Sequence, residues 1–274
     1  MDIETLFADL HALPSIPKVA LELIQQFDSP SSSLDAVARN ISLDPVIAAK
    51  VLRLANSSRY RGARESTSIE DAASRLGFNT LRTLVMASAV TGAFKADATF
   101  DLKGFWIHSF QVASISRLLA KQAGQDADTA FTCGMMHNIG ELLIQTGAPQ
   151  YAPQLNNSKH ANAAGRAANE TLQLGFGYPE VGAELARRWQ LPKLIQTAIA
   201  LQGNPQQAPA DQPLAKTLAQ AVLIAEAMKA HGGATEEAKA SLSGPLVEGL
   251  DLDAVFAALP AVLEADKAFA ELLG

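Results

Sequence analysis

The chain has 274 residues, of which 48% are hydrophobic and 18% charged, so it has the composition of a folded globular protein with a sizeable core. Its net charge of −6 disfavours nonspecific binding to nucleic acid, because such binding depends on neutralising phosphates with basic side chains. The single cysteine, Cys133, excludes a disulfide framework and a cysteine-rich metal motif.

The N-terminus and the apolar segments carry no signal for export or membrane insertion. The opening MDIETLFADL lacks the basic and long apolar segments of a signal peptide. No uninterrupted apolar run reaches the roughly 18 residues that a membrane-spanning helix needs. We therefore expect a soluble cytoplasmic protein with no membrane contact.

Helix signals dominate the first part of the chain, and the alternation typical of strands is almost absent. The segment PSIPKVALELIQQF offers Ser15 as an N-cap and Pro17 in the first turn, followed by apolar residues at helical spacing. The segment SLDPVIAAKVLRLANS repeats this pattern, with Asp44 as the cap, Pro45 at the first helical position and Asn56 as the stop.

The next segment, TSIEDAASRLGFNTLRTLVMASAV, predicts two consecutive helices. Ser68 and Asp71 have the spacing of a capping box, Gly77 ends the first helix, and Asn79 begins the second. Together these segments predict an N-terminal bundle of about five short helices over residues 1–94.

A polar stretch, KADATFDLKG, separates this bundle from a second helical part, and we divide the chain into residues 1–100 and residues 101–274. The segment FWIHSFQVASISRLLAKQAG predicts a helix with His108, Val112, Ile115 and Leu119 on one stripe. The segment DTAFTCGMMHNIGELLIQTG is apolar over most of its circumference, which predicts one helix buried on several sides.

Further helices are predicted in the remainder, punctuated by glycine and proline. They cover about residues 161–174, 179–190, 192–202, 212–231 and 251–272, and residues 203–213 are predicted to be an exposed loop. The fold class is therefore all-α. The last of these segments is amphipathic and is expected to dock on its own chain or on a second copy in a homodimer.

Two histidines, His108 and His137, lie in neighbouring apolar helices and are candidates for one metal site, because imidazole is a ligand for Zn, Fe and Mn. Asn138 follows His137, however, and its neutral amide is a much weaker ligand than a carboxylate. The alternative is that both imidazoles are neutral, buried and hydrogen-bonded within the core. The residues favour this second interpretation.

A basic cluster in KVLRLANSSRYRGAR is a candidate patch for an anion or a partner protein. It contains an aromatic residue, Tyr60, and the basic residues Lys50, Arg53, Arg59, Arg61 and Arg64. The alternative is a solvated loop whose arginines pair with Glu65, Glu70 and Asp71.

The segment TSIEDAASRLGFNTLRTLVMAS has the arrangement of a helix-turn-helix, which raises DNA binding as a rival function. Its second helix carries only one basic residue, Arg82, and is otherwise largely apolar. A helix that reads the major groove needs polar side chains for bases and phosphates, so nucleic-acid binding is disfavoured.

The chain resembles an HDOD domain, the signalling offshoot of the HD and HD-GYP metal-dependent phosphohydrolases. The N-terminal motifs that carry this resemblance are LPSIPKVALELIQ, LDPVIAAKVLRLANSSRY and TSIEDAASRLGFNTLRTLV. The C-terminal motifs are FWIHSFQVA, GMMHNIGELLI and GYPEVGAELARRWQLPKLIQTAI, and the resemblance covers roughly residues 8–235. It implies an N-terminal helical bundle packed on an HD-like helical core.

The resemblance also identifies the positions of the metal site in the active HD enzymes. His108 retains the first histidine, while the His-Asp doublet corresponds to His137 and Asn138. Glu226 corresponds to the closing aspartate of the signature. Histidines of many relatives are replaced here by Tyr178, Gln202 and Gly203.

These replacements imply a vestigial site and no catalytic residues, because a hydrolase must hold metal firmly enough to activate water. No cofactor is expected, and at most a single weakly bound metal ion. The resemblance implies a noncatalytic regulatory protein that contacts signalling proteins in bacteria as an adaptor or output module. The alternatives are a residual metal-dependent phosphohydrolase, or a sensor of nucleotides or cyclic dinucleotides that uses the arginine-rich loop.

Overall fold

The computed structural model describes residues 1–9, 19, 22–23, 26, 32–62, 64–93, 100–157 and 162–273. The predicted cap Ser15 and the nearby Pro17 lie outside these residues. The helices are α1 (Ile3–Asp9), α2 (Leu34–Ile41), α3 (Pro45–Ala55), α4 (Ile69–Ala93), α5 (Leu102–Gln122), α6 (Ala127–Met136), α7 (Ile139–Gly147), α8 (Ala152–Asn157), α9 (Ala163–Leu174), α10 (Tyr178–Arg188), α11 (Lys193–Leu201), α12 (Leu214–Ala230), α13 (Glu236–Ser241) and α14 (Leu252–Leu273).

The all-α class is confirmed, since the regular structure of the described residues is helical throughout. The chain forms two compact units. The large unit comprises Met1–Leu13 and Ala96–Leu263, and the small unit comprises Pro14–Lys95 and Glu264–Gly274. None of the described helices combines the length and the apolar character that crossing a membrane requires.

In the small unit, α2 and α3 both pack against α4. The predicted ends of α3 are confirmed. The Asp44 carboxylate accepts hydrogen bonds from the backbone N–H groups of Val46 and Ile47, Pro45 is the first helical residue, and Asn56 is the C-cap.

The helix α4 contains the predicted interruption. Gly77 has φ of 75° and ψ of 167°, a left-handed region that favours glycine, so the chain bends there and resumes as a helix. The Ser68 hydroxyl accepts a hydrogen bond from the Asp71 backbone N–H, which confirms the cap at the start of α4. The described part of the second half is largely buried, with Leu81, Leu84 and Val85 among its core residues.

In the large unit, α5 packs against α6 and α12, while α10 packs against α7 and α11. The predicted stripe on α5 is buried at Val112, Ile115 and Leu119. The predicted loop at residues 203–213 is mostly exposed and contains a short 3-10 turn at Pro205–Gln207.

The segment predicted as one buried helix over DTAFTCGMMHNIGELLIQTG is two helices, α6 and α7, and this prediction was wrong. The helix ends at His137, whose Nδ1 lies 2.7 Å from the Gly134 carbonyl oxygen. Because a carbonyl can only accept, Nδ1 carries the proton and donates it. In a continuous helix that carbonyl would accept from the N–H of Asn138, so the imidazole takes the place of the next helical bond.

Candidate functional site

The two predicted histidines lie together in the large unit. His108 projects from the first half of α5, and His137 follows the last turn of α6. Their ring centroids are 5.5 Å apart, with the ring planes at 65°. His137 is 2% exposed and His108 is half-buried, so the pair occupies the contact between α5 and α6.

Both imidazoles are neutral at physiological pH. Burial lowers the pKa of His137 to about 3, and neighbouring His108 lowers it further, while the hydrogen bond to Gly134 opposes the shift. Burial lowers the pKa of His108 to about 4, with a further contribution from the positive charge of Lys229.

Asn138 is buried beside this pair at 6% exposure. Its side-chain Oδ1 lies 2.9 Å from the hydroxyl of Ser109 on α5, and the same hydroxyl lies 2.8 Å from the Phe105 carbonyl oxygen. The single hydroxyl hydrogen is shared between these two acceptors, so the amide connects the start of α7 to α5. The position at which the resemblance to HD enzymes implies a carboxylate is therefore an amide that is hydrogen-bonded inside the protein.

Gln202 reaches the same turn from the end of α11 and is 6% exposed. Its side-chain N–H groups donate to the carbonyl oxygens of His137 at 2.8 Å and Ile199 at 2.9 Å. The glutamine thus ties α11 to the break between α6 and α7 by donating hydrogen bonds.

Close backbone approach fixes α7 against α10. A Cβ on Gly140 would lie 2.1 Å from the Tyr178 carbonyl oxygen and 2.8 Å from the Gly182 nitrogen. Only a residue without a side chain fits between these backbone atoms. Tyr178 is buried at 4% exposure, in the position for which the resemblance implies a histidine in many relatives.

A buried ionic cluster next to this turn was not predicted from the sequence. The Arg166 guanidinium on α9 lies 2.5 Å from Glu141 Oε1 on α7 and 2.9 Å from Glu170 Oε1 on its own helix. The second Glu170 oxygen accepts a hydrogen bond from the Tyr178 backbone N–H at 2.7 Å. Burial raises the pKa of Glu141, and the Arg166 charge opposes that shift. The i,i+4 spacing of Arg166 and Glu170 was a visible signal, but the sequence gives no link to Glu141.

Glu226, on α12, lies at the start of α9. Its carboxylate accepts a hydrogen bond from the Ala163 backbone N–H, and burial raises the pKa of this carboxyl. Within the described ranges, no three His, Cys, Asp or Glu side chains are grouped so that they could hold a metal ion.

The predicted basic cluster lies in the small unit, on α3 and the loop after it. Arg61 forms an ion pair with Glu65 at 3.3 Å, and Arg64 lies 4.0 Å from Asp71. These are two of the partners that the solvated-loop interpretation predicted. Arg53 and Arg59 are both exposed, and the Arg59 guanidinium lies 5.6 Å from the centroid of the neighbouring tyrosine ring.

The second half of α4, which has the place of a recognition helix, is mostly buried where the structure describes its side chains. From Leu81 to Ala89 every side chain is buried except Arg82, which is half-buried. A recognition helix presents its side chains to the major groove, whereas residues 81–89 present almost none to solvent.

Comparison with known protein families assigns the chain to one of them. The family model for the HDOD domain matches residues 13–205. The chain belongs to the HDOD family. The resemblance seen in the sequence motifs is thereby confirmed.

Three known proteins are similar to this chain. A crystal structure from Shewanella amazonensis SB2B, of a protein named as a phosphohydrolase, is 34% identical, covers 98% of both chains and has a TM-score of 0.79. A structure from Marinobacter aquaeolei VT8, named as a signal transduction protein, is 24% identical, covers 95% of this chain and 60% of that one, and has a TM-score of 0.78. An uncharacterized protein of Treponema pallidum (strain Nichols) is 27% identical over 210 residues, 76% of this chain, and the chain spans 41% of that relative's length.

Proposed function

We propose that this HDOD protein is a noncatalytic signalling adaptor that acts in the bacterial cytoplasm through contacts with other proteins. The observation that carries the proposal is the buried Asn138 amide, which is hydrogen-bonded to Ser109 where HD enzymes hold a metal-bridging carboxylate. In this proposal the protein has kept the fold and lost the ligands that hydrolysis needs, so it acts by binding other proteins through its surface.

The donor atoms at the turn do not fit the pair of metal ions used by active HD enzymes. His137 uses Nδ1 for the Gly134 carbonyl, so only Nε2 is available for an ion. The N–H groups of Gln202 donate to the backbone of the turn and do not bind a cation, and its Oε1 is a neutral amide oxygen, a weaker ligand than a carboxylate. Glu226 is engaged at the start of α9. Two imidazoles and a neutral amide supply too little charge to bind two ions and lower the pKa of water.

The buried ions support the same proposal. Arg166 brings a permanent positive charge between two carboxylates, Glu141 and Glu170, beside the turn. These groups link α7, α9 and the start of α10 by charge-assisted hydrogen bonds. In this proposal the arginine gives the helices a fixed cationic link, so the fold does not depend on a bound ion.

A residual phosphohydrolase is the second candidate. It is favoured by the name of the Shewanella protein, which is 34% identical to this chain, and by the two retained histidines, His108 and His137. The two candidates differ in one property: a hydrolase needs a stoichiometric metal ion that activates water.

Metal content and turnover measured on one preparation separate the candidates. The purified chain is incubated with Mn²⁺ or Fe²⁺, desalted, analysed for metal by mass spectrometry, and assayed with bis(p-nitrophenyl) phosphate and a cyclic dinucleotide. We expect metal well below one ion per chain and the same background hydrolysis in the wild type and in His137→Ala. Stoichiometric metal together with turnover that disappears in His137→Ala would overturn the adaptor proposal.

A further inference from the structure

The outer face of α3 is apolar at one end and basic at the other. Val46, Ala49 and Arg53 are spaced at i, i+3 and i+7, so they lie on one side of the helix, and all three are exposed. Leu43, just before the helix, is 68% exposed and Val46 is 62% exposed. Two large apolar side chains at such exposure, three positions apart in the chain, favour a contact surface at this end of the helix.

The loop after α3 is held in a defined shape. The Asn56 side chain donates to the Ser66 carbonyl oxygen at 2.9 Å and accepts from the Ser66 backbone N–H at 2.8 Å, which closes the base of the loop. Arg75, on α4, donates to the Arg64 carbonyl oxygen at 3.0 Å, and its guanidinium lies close to Gly62. Because these bonds fix the loop at its base and at Arg64, the loop itself would lose little conformational entropy when a partner binds.

This loop presents positive charge to solvent. Residues 50–64 contain five basic side chains and no acidic one. The side chains of Arg61 and Arg64 are 57% and 84% exposed, and their carboxylate partners, at 3.3 Å and 4.0 Å, belong to exposed or half-exposed side chains. Exposed ion pairs of this kind contribute little to stability, so carboxylates of a partner can replace them at little cost.

We propose that Leu43, Val46, Ala49, Arg53 and the loop residues 57–62 and 64–65, together the α3–loop surface, bind an acidic amphipathic segment of a partner protein. Apolar side chains of the segment would contact Leu43 and Val46, while its carboxylates would pair with the arginines. This inference rests on the adaptor role proposed above and names the chemistry of the partner. Arginines beside an apolar contact are also the residues that dominate many protein interfaces.

Duplex DNA fits this surface less well than an acidic protein segment. The apolar end of the α3–loop surface, at Leu43 and Val46, would lie against phosphates or base edges and gain nothing from them. Asp44 stands between these two residues in the chain, and its carboxylate caps the start of α3, so it would repel a phosphate backbone laid over this apolar end. A duplex is therefore included as a competing probe.

Fluorescence anisotropy with defined probes tests the proposal. The first probe is a labelled helical peptide of Leu and Glu, about 16 residues long, which spans α3 and the loop at about 1.5 Å per residue. The second replaces each Glu by Lys, and the third is a 20-base-pair duplex. The variants are Val46→Glu and the triple reversal Arg59→Glu, Arg61→Glu, Arg64→Glu. The matched control reverses three exposed lysines of the large unit: Lys121→Glu, Lys193→Glu and Lys216→Glu.

We expect the acidic peptide to bind the wild-type chain. Its affinity for the triple reversal should be at least tenfold lower, and its affinity for Val46→Glu at least threefold lower. The lysine control should bind as the wild type does, although its net charge changes by the same amount. Circular dichroism should show unchanged helix content in all variants, because every replaced side chain is exposed. No binding at millimolar peptide, an equal loss in the lysine control, or tighter binding of the duplex would overturn the proposal.

Failure of this surface can be distinguished from failure of the adaptor role. If proteins captured from the native cell extract remain bound to the triple reversal, the adaptor role stands and the α3–loop surface is refuted. If the same preparations hydrolyse a phosphoester with stoichiometric metal, the adaptor role itself fails. Both the adaptor role and the α3–loop surface are supported by one combined result. The wild type binds the acidic peptide and captures partner proteins, and this capture is lost in Val46→Glu and in the triple reversal but not in the lysine control.

Discussion

Lowering the pH from 7 to 5 is expected to destabilise the large unit through its two neutral histidines. Burial lowers the pKa of His137 to about 3 and that of His108 to about 4, whereas both have an ordinary value of 6.5. In the unfolded chain each imidazole therefore takes up a proton near pH 6.5, while in the folded chain it stays neutral. Protons favour the unfolded state as the pH falls below 6.5, so stability is complete above that value and declines toward the folded pKa.

The magnitude follows from the width of this pH window. At about 1.36 kcal/mol per unit, the 1.5 units between pH 6.5 and pH 5 correspond to about 2 kcal/mol for each histidine. The variant His137→Gln removes one titrating group, and its amide can still donate to the Gly134 carbonyl. The difference in unfolding free energy between pH 7 and pH 5 should therefore be about 2 kcal/mol smaller in His137→Gln than in the wild type.

Urea unfolding followed by tryptophan fluorescence measures this difference in the relevant unit. Both tryptophans, Trp106 and Trp189, belong to the large unit, so the signal reports its unfolding. The matched control is His231→Gln, at an exposed histidine of the same unit. A pH dependence that is the same in His137→Gln and the wild type would refute the buried, neutral state of His137.

Three further substitutions test the site and its packing. Arg166→Met should lower the unfolding free energy by about 3–5 kcal/mol, because it leaves the carboxylates of Glu141 and Glu170 without their cation. Adding Glu141→Gln to this variant removes one of these charges and should recover part of the loss in the same urea assay. Gly140→Ala should cost about 3 kcal/mol or more through its clash with backbone atoms, whereas Gly203→Ala, whose Cβ meets nothing within 4 Å, should be neutral in thermal unfolding. Asn138→Asp should cost about 1–3 kcal/mol without metal, because a buried carboxylate replaces a hydrogen-bonded amide. Added Mn²⁺ should raise the unfolding midpoint of this variant and not that of the wild type; a shift of the wild type would contradict the adaptor proposal.

Local chemistry was sufficient to predict the ends of several helices. The cap at Asp44 and Pro45 needs only backbone N–H groups within the next three residues, so its signal is contained in the sequence. Gly77 likewise marks the bend in α4, because a positive φ is unfavourable for other residues. These interactions join neighbours in the chain, and the structure places them where the sequence predicted.

The break between α6 and α7 escaped prediction because the apolar pattern continues through it. Met135, Met136 and Ile139 are all buried, so periodicity gives no sign that the helix ends. What ends it is the imidazole of His137 on the Gly134 carbonyl, together with the backbone of α10 against Gly140. The second contact joins residues about 40 positions apart and has no signature in a single sequence.

By itself, the sequence determined the helical class, the family and the identity of the amide at position 138. The tertiary structure decided that this amide is buried on Ser109, that the two histidines are adjacent, and that Arg166 joins Glu141 to Glu170. The physical reason is the range of the interactions. Caps and turns act between residues a few positions apart, whereas burial, the resulting pKa shifts and buried ion pairs exist only after distant helices pack together.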